Sequence, residues 1–333
     1  MNRRGGVAGS WTSAVLTAAL GAVVVLLAGC SAGRQPSPAA STFPAARPLG
    51  VQDPAVIPSS SAGPAQTCNP RASLRPPSTL PAAGQMPAGS TMQRIQQNGL
   101  LRVGVDQNTF LFGYRNPASG QIEGFDIDVA KEVAKAIFGS PDKVQLIAIT
   151  SAQRIPYIQD NKVDIVARTM TITCDRLQQV NFSSVYYQAG QRVLTSKSSP
   201  AKSMDDLGGK KVCAVAGSTS IVNIANYKSK PIPVSVPDWT DCVVLLQQGQ
   251  VDAISTDDAI LAGMADQDPN LQLVGPKFTE EPYGMAISKN SPDFVRFVNG
   301  VLERMRGDGT LRDINARWLK GNAPPVPSAE YQD

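Results

Sequence analysis

The chain has 333 residues, with 31 Lys and Arg against 27 Asp and Glu and no histidine. The lack of histidine excludes a Ser-His-Asp triad, a Cys-His dyad and every His-ligated metal site. A formal charge of +4 without a basic stripe gives nucleic acid no electrostatic footprint.

Arg3 and Arg4 precede an apolar run from Ala14 to Leu26, which ends in Leu27-Ala28-Gly29-Cys30. A basic start, a short apolar stretch and small residues before a cut is the layout of an export signal. The run is short of the roughly 20 apolar residues that span a bilayer, which disfavours the alternative of an uncleaved helix. With cysteine at the cleavage point it resembles a bacterial lipoprotein signal. That resemblance implies cleavage before Cys30 and an acyl anchor on Cys30, on the extracytoplasmic face of the cell membrane. Losing Arg3 and Arg4 lowers the formal charge from +4 to +2.

Residues 31 to about 90 are rich in Pro, Ala, Ser and Gly, have no apolar period, and are expected to form a flexible linker. Regular structure is expected from Met92, in a helix with Ile95 and Gln96 that Gly99 closes. A buried strand follows at Leu100 to Val105, then a loop from Gln107 to Gln121 with turns at Asn116-Pro117 and Ser119-Gly120. Ile127, Ala130, Val133, Ala134, Ile137 and Phe138 share one face of the next helix. Asp126 and Asp128 favour its start, and Gly139 and Pro141 stop it. Val144 to Ile149 reads as a strand, Arg154 to Gln159 as a short helix and Val163 to Ala167 as a strand.

Alternation restarts at Lys210. Strands are expected at Lys211 to Ala216, Pro233 to Val236 and Val251 to Ser255, with helices at Ser220 to Tyr227 and Asp241 to Gln248 between them. Two amphipathic helices, Pro292 to Met305 and Leu311 to Leu319, precede a Pro-rich tail from Gly321 that is expected to be mobile. Two α/β units with a break between them predict a bilobed protein whose ligand lies at the carboxyl ends of the strands.

Beyond Cys30 the cysteines are Cys68, Cys174, Cys213 and Cys242. An exported chain with an even count favours disulfides over buried thiols, and no Cys-x-x-Cys spacing points to a metal. Cys213 in a strand and Cys242 at the start of a nearby helix favour the pair Cys213–Cys242. Cys68–Cys174 is then left to pin the N-terminal segment to the body.

Seven short motifs occur in order: Arg102-Val103-Gly104-Val105-Asp106, Gly124-Phe125-Asp126-Ile127-Asp128-Val129-Ala130, Thr171-Ile172-Thr173-Cys174-Asp175-Arg176, Val180-Asn181-Phe182-Ser183, Asp206-Leu207-Gly208-Gly209-Lys210-Lys211-Val212, Gly217-Ser218-Thr219, and Val251-Asp252-Ala253 with Asp257. The series resembles the polar amino-acid solute-binding proteins that serve ABC importers, over about residues 90 to 320. The resemblance implies a type II periplasmic-binding-protein fold. Lobe 1 would span 91–186 plus 285–320 and lobe 2 would span 187–284, with crossing strands near Tyr186 to Gly190 and Glu281 to Gly284.

It also implies site residues. Arg176 would pair with the ligand's α-carboxylate, for which a planar guanidinium is suited, and Thr171 and Thr169 would contact its backbone groups. Asp257, with Asp258 as the neighbouring candidate, would hold the α-ammonium. Gly217-Ser218-Thr219 at a helix start offers N–H groups to an anion. Thr150 to Pro156 resembles the glutamate/aspartate-binding branch, in which Ser151 and Arg154 would hold a distal carboxylate, with Arg168 as a second candidate cation. Some members of that branch carry an arginine after the first strand. This chain has Asp106-Gln107-Asn108-Thr109 there, which keeps asparagine and glutamine open as ligands. Phe110 and Phe125 match aromatic positions that wall the ligand's aliphatic part, with a place in the core as the alternative for Phe125.

The expected role is binding of a free amino acid by a monomer. The expected partner is an ABC permease, or else a membrane sensor. No cofactor, metal or nucleic acid is expected. Lytic transglycosylases and cyclohexadienyl dehydratases share this fold. A transglycosylase would need a further lysozyme-like domain, and a dehydratase a general acid or base in the cleft. A structural lipoprotein with a dead cleft would have no use for Arg176 and Asp257 together.

Overall fold

A computed structural model describes residues 46–57, 68–319 and 324–333. The signal segment, Cys30 and the rest of the expected linker lie outside the described residues.

Two five-stranded sheets repeat one plan. In the first, Leu101–Val105 runs parallel to Val144–Ala148 and to Ile165–Val166. Ala286–Ile287 then pairs antiparallel with Ile165–Val166 and with Asn181–Phe182. In the second, Lys211–Val215 runs parallel to Ile232–Val236 and Ala253–Asp257. Gln191–Ser196 then pairs antiparallel with Ala253–Asp257 and Leu271–Val274. In each sheet the antiparallel strand comes from chain arriving from the other lobe. Between the sheets runs a two-stranded antiparallel ribbon, Tyr187–Ala189 against Glu281–Tyr283, where the crossing strands were expected.

Apolar periodicity explains the layers. Ile127, Ala130, Val133, Ala134 and Ile137 of the helix Phe125–Phe138 are fully buried. They meet Phe294, Val298, Val301, Leu302 and Met305 of the helix Pro292–Gly307 in the core of lobe 1. Each of these side chains other than the alanines contributes about 1.5–3 kcal/mol on burial. The helices Thr219–Asn226, Trp239–Gln247 and Asp258–Gln267 cover the second sheet around Ile221, Leu245 and Leu261. Asp258–Gln267 and the strands Gln191–Ser196 and Leu271–Val274 go beyond the elements expected from sequence.

Cys213 and Cys242 are bonded, with Cα atoms 5.6 Å apart, and Cys68 and Cys174 likewise at 5.8 Å. The first bond ties the helix Trp239–Gln247 to the strand Lys211–Val215.

The linker and tail expectations are corrected where those residues are described. Gln52 exchanges backbone hydrogen bonds with Ser235 at 2.9 and 3.0 Å, while Val51, Ala55 and Ile57 pack on lobe 2. Ala72–Ser73 pairs in parallel with Glu330–Tyr331 of the tail, and Leu74 and Leu80 pack on lobe 1. The tail is further held by Arg306 Nε donating to the Pro327 carbonyl at 3.0 Å and by the Arg296–Asp333 ion pair. These stretches carry single apolar residues between prolines. They satisfy exposed sheet edges and fill local gaps, and neither task leaves a period in the sequence.

Candidate functional site

Thr169 follows the strand Ile165–Val166 with φ +38°, a strained setting for a β-branched residue. Its N–H donates to Asp126 Oδ2 at 2.7 Å, which holds the turn. Two residues on, the Thr171 carbonyl accepts from Arg176 Nη1 at 2.6 Å. Thr173 caps the helix Cys174–Gln179 by accepting from the Arg176 N–H at 3.2 Å. Arg176 is thus held by its own loop. Arg154 opens the helix Arg154–Gln159 after the turn Ser151–Gln153.

Lobe 2 supplies the facing wall. Ser218 Oγ accepts from the Ile221 N–H at 3.2 Å and donates to the Val215 carbonyl at 2.6 Å. The hydroxyl is therefore a helix cap, and the remaining first-turn N–H groups have no intrahelical acceptor. Asp257 ends the strand Ala253–Asp257, is 3% exposed and accepts from the Tyr283 hydroxyl. Among the described residues its Oδ1 has no partner.

Ser151, Arg154, Thr169, Thr171, Arg176, Ser218, Thr219 and Asp257 together line one cleft. Ser220, Trp239, Thr256 and Ile260 complete it and were not singled out from sequence. Glu281 of the ribbon sits at its base. It accepts from Thr171 Oγ1 at 2.6 Å in lobe 1 and from Thr219 Oγ1 at 2.9 Å in lobe 2.

Five residues named as site candidates from sequence are placed elsewhere. Phe125 belongs to the core, with ring centroids 5.6 Å from Phe112, 6.0 Å from Tyr186 and 5.4 Å from Tyr187. Its place at a helix start comes from the motif, and partners from distant chain bury it. Phe110 lines an outer groove instead, with Trp239, Val243, Val244 and Met264. Asp106 and Arg168 form a buried ion pair at 2.9 Å behind the cleft. Arg168 also donates to Ser151 Oγ at 2.5 Å, so it orients that hydroxyl. Asp106 accepts from Thr109 Oγ1 at 2.6 Å and organises the following turn. Asp258 pairs with Lys277 at 2.8 Å, away from the cleft lining.

The charges in the cleft are unevenly matched. Among the described residues neither Arg154 nor Arg176 has a carboxylate within ion-pair distance. Arg154 is 3% exposed and donates only to carbonyls: Ser151 at 3.0 Å, Arg168 at 3.2 Å, Thr169 at 3.3 Å and Gly217 at 3.2 Å. Burial, then the charges of Arg176 and Arg168, push its pKa well down. Burial lowers that of Arg176, opposed by Glu281 and Asp257. Burial and the Glu281 charge push Asp257 well above the carboxylate range. Guanidinium does not deprotonate in proteins, so these directions describe sites that call for an anion near the arginines and a cation near Asp257.

A hinged bilobed molecule with a closed cleft of this polarity defines an extracytoplasmic solute receptor. The chain belongs to the bacterial extracellular solute-binding proteins, family 3, which it matches over residues 101–321. It is 44% identical over 231 residues to the ABC transporter glutamine-binding protein GlnH of Bacillus subtilis, covering 69% of this chain and 85% of that one. It is 30% identical over 248 residues to the glutamate/aspartate import solute-binding protein of Salmonella typhimurium, covering 71% and 82%. A solved ancestral arginine-binding protein bound to glutamine matches with a TM-score of 0.62 at 35% identity, covering 66% of this chain and 98% of that one.

Proposed function

We propose that the chain is a lipid-anchored extracytoplasmic receptor that binds a polar amino acid and delivers it to an ABC importer. It acts as a monomer and catalyses no reaction. Lobe 1 takes 91–186 and 285–320, and lobe 2 takes 187–284. Glutamate and aspartate are the preferred ligands, with glutamine and asparagine accepted more weakly. Arg176 and the first-turn N–H groups of Thr219 and Ser220 take the α-carboxylate. Asp257 takes the α-ammonium with its unpartnered Oδ1, assisted by Thr169 and Thr171. Arg154, with Ser151 held by Arg168, takes the distal carboxylate.

One observation carries the preference for acids: two adjacent guanidiniums in the cleft, Arg154 and Arg176, have no counter-ion among the described residues. A buried charge without a partner is costly, and a carboxylate that arrives with the ligand supplies one. A dicarboxylic amino acid brings two carboxylates, an amide only one. Among the described residues no helix is long and apolar enough to cross a membrane. Cys30→Ala is expected to release the protein from the membrane fraction.

Calorimetric titration tests the ligand assignment. Glutamate and aspartate should bind more tightly than their amides, and all four well above lysine and leucine. Tight binding of arginine or lysine with none of glutamate would overturn it.

A further inference from the structure

Trp239 is 3% exposed, yet among the described residues its indole Nε1 has no hydrogen-bond partner. Buried tryptophan N–H groups normally find an acceptor. This one is the first residue of the helix Trp239–Gln247 and lines the cleft with Ser151 and Arg154. It also lines the outer groove with Phe110 and Met264. It therefore stands where the closed cleft meets more open space. The cap residue before it, Asp238, lies 3.9 Å from Arg168 Nη2 across the lobes. Three residues further along the helix, about one turn, Cys242 is bonded to Cys213. The disulfide thus anchors the turn that carries Trp239.

We propose that Trp239 is a specificity residue whose indole N–H donates to an oxygen on the ligand's side chain. The inference rests on the amino-acid reading of the cleft and deepens it. Indole N–H is a donor only, so it serves a carboxylate oxygen or an amide carbonyl. It offers nothing to an ammonium, a guanidinium or a bare methyl. A site built to hydrogen-bond a polar group rejects analogues that lack it, because its own donor is left unpaired. Arg154 and Trp239 then approach the distal oxygens from opposite lobes. A side chain carrying such an oxygen helps to hold the lobes together, and one without it does not.

Trp239→Phe keeps most of the ring and removes the donor. Calorimetry with glutamate, aspartate, glutamine, asparagine and alanine should show about a tenfold loss for the two acids, a several-fold loss for the amides and no change for alanine. Equal losses for all five ligands, or no loss for any, would overturn the proposal. A second measurement needs no variant: the Trp239 indole N–H resonance in 15N-labelled protein. It should move downfield on saturation with glutamate and far less with alanine. An equal response to both ligands counts against the bond. If the unaltered protein binds none of the five, the amino-acid reading itself fails. If it binds them and the variant does not discriminate, only the role of Trp239 fails.

Discussion

Arg154 and Arg176, on two separate helices of lobe 1, donate to one acceptor in lobe 2, the Gly217 carbonyl, each at 3.2 Å. Two like charges converge on a neutral oxygen across the lobe interface. The contact belongs to the closed arrangement, since it joins residues of different lobes. Closure by hinge motion therefore brings this carbonyl onto both cations, and a ligand carboxylate offsets their mutual repulsion.

Removing either arginine should separate their roles. Truncating one partner of a buried charge pair costs on the order of 2–5 kcal/mol. Arg176→Ala is expected to weaken glutamate, aspartate, glutamine and asparagine alike, because all share the α-carboxylate. Arg154→Ala should weaken the two acids much more than the two amides. Titration of both variants with the four ligands measures this. If Arg154→Ala weakens acids and amides equally, Arg154 serves closure rather than side-chain recognition.

Gly217 offers a test of closure itself. It has φ +77°, and a Cβ there would lie 2.8 Å from the Ala152 Cα in lobe 1. Backbone cannot yield as a flexible side chain can. Gly217→Ala should lower stability by only about 1 kcal/mol from the left-handed backbone. It should weaken every ligand at least about tenfold, since closure is obstructed. Small-angle scattering should show the variant failing to contract at saturating glutamate. A normal contraction would mean that Gly217 and Ala152 do not meet on closure.

Much of the site was legible because its key residues belong to local motifs. Thr171 and Arg176 sit on one loop and helix whose internal hydrogen bonds fix their spacing, so a short sequence signature marks them. Asp257 ends a strand for the same reason. Trp239 was not legible. The helix was read from Asp241, although Asp238 caps it by a reciprocal bond with Asp241, the Asp238 N–H donating to Asp241 Oδ2 at 3.2 Å. That capping pair was the available signal. Phe125 was misread because what buries it, Tyr186 and Tyr187, lies about sixty residues away in sequence. The sheet plan followed from alternation, but the short strand Ala72–Ser73 needs an edge supplied by Glu330–Tyr331.

Asp126 should make stability depend on pH. It is buried, and burial raises its pKa from 3.8 to about 6, against the bonds from Tyr186 and Thr169. Between those values the folded state holds a proton that the unfolded state has lost. Stability from this group therefore falls as pH rises from about 4 to about 6, by roughly 3 kcal/mol in total. Asp126→Asn keeps one acceptor, for the Thr169 N–H, turns an amide N–H donor toward the Tyr186 hydroxyl oxygen, and cannot ionise. Urea unfolding at pH 4, 5, 6 and 7 should give a shallower decline for the variant over that window. Parallel curves for the two proteins would mean that Asp126 titrates normally.

Asn299 reports on the N-terminal segment. It is fully buried on the helix Pro292–Gly307. Its Nδ2 donates to Ser73 Oγ at 2.8 Å and to the Leu74 carbonyl at 2.6 Å, and its Oδ1 accepts from the Ser184 N–H at 2.6 Å. Ser73 Oγ in turn donates to the Phe182 carbonyl at 2.8 Å. One amide thus joins the segment around residue 73, the end of the first sheet and a core helix. Asn299→Ala leaves a buried N–H and a buried carbonyl without partners, each costing about 1–3 kcal/mol. The expected loss is about 3 kcal/mol by urea unfolding, accompanied by faster hydrogen exchange at residues 72–74 and 330–331. A loss below about 0.5 kcal/mol, the scale of an ordinary surface substitution, would mean that residues 68–90 hang from the Cys68–Cys174 bond without docking on lobe 1.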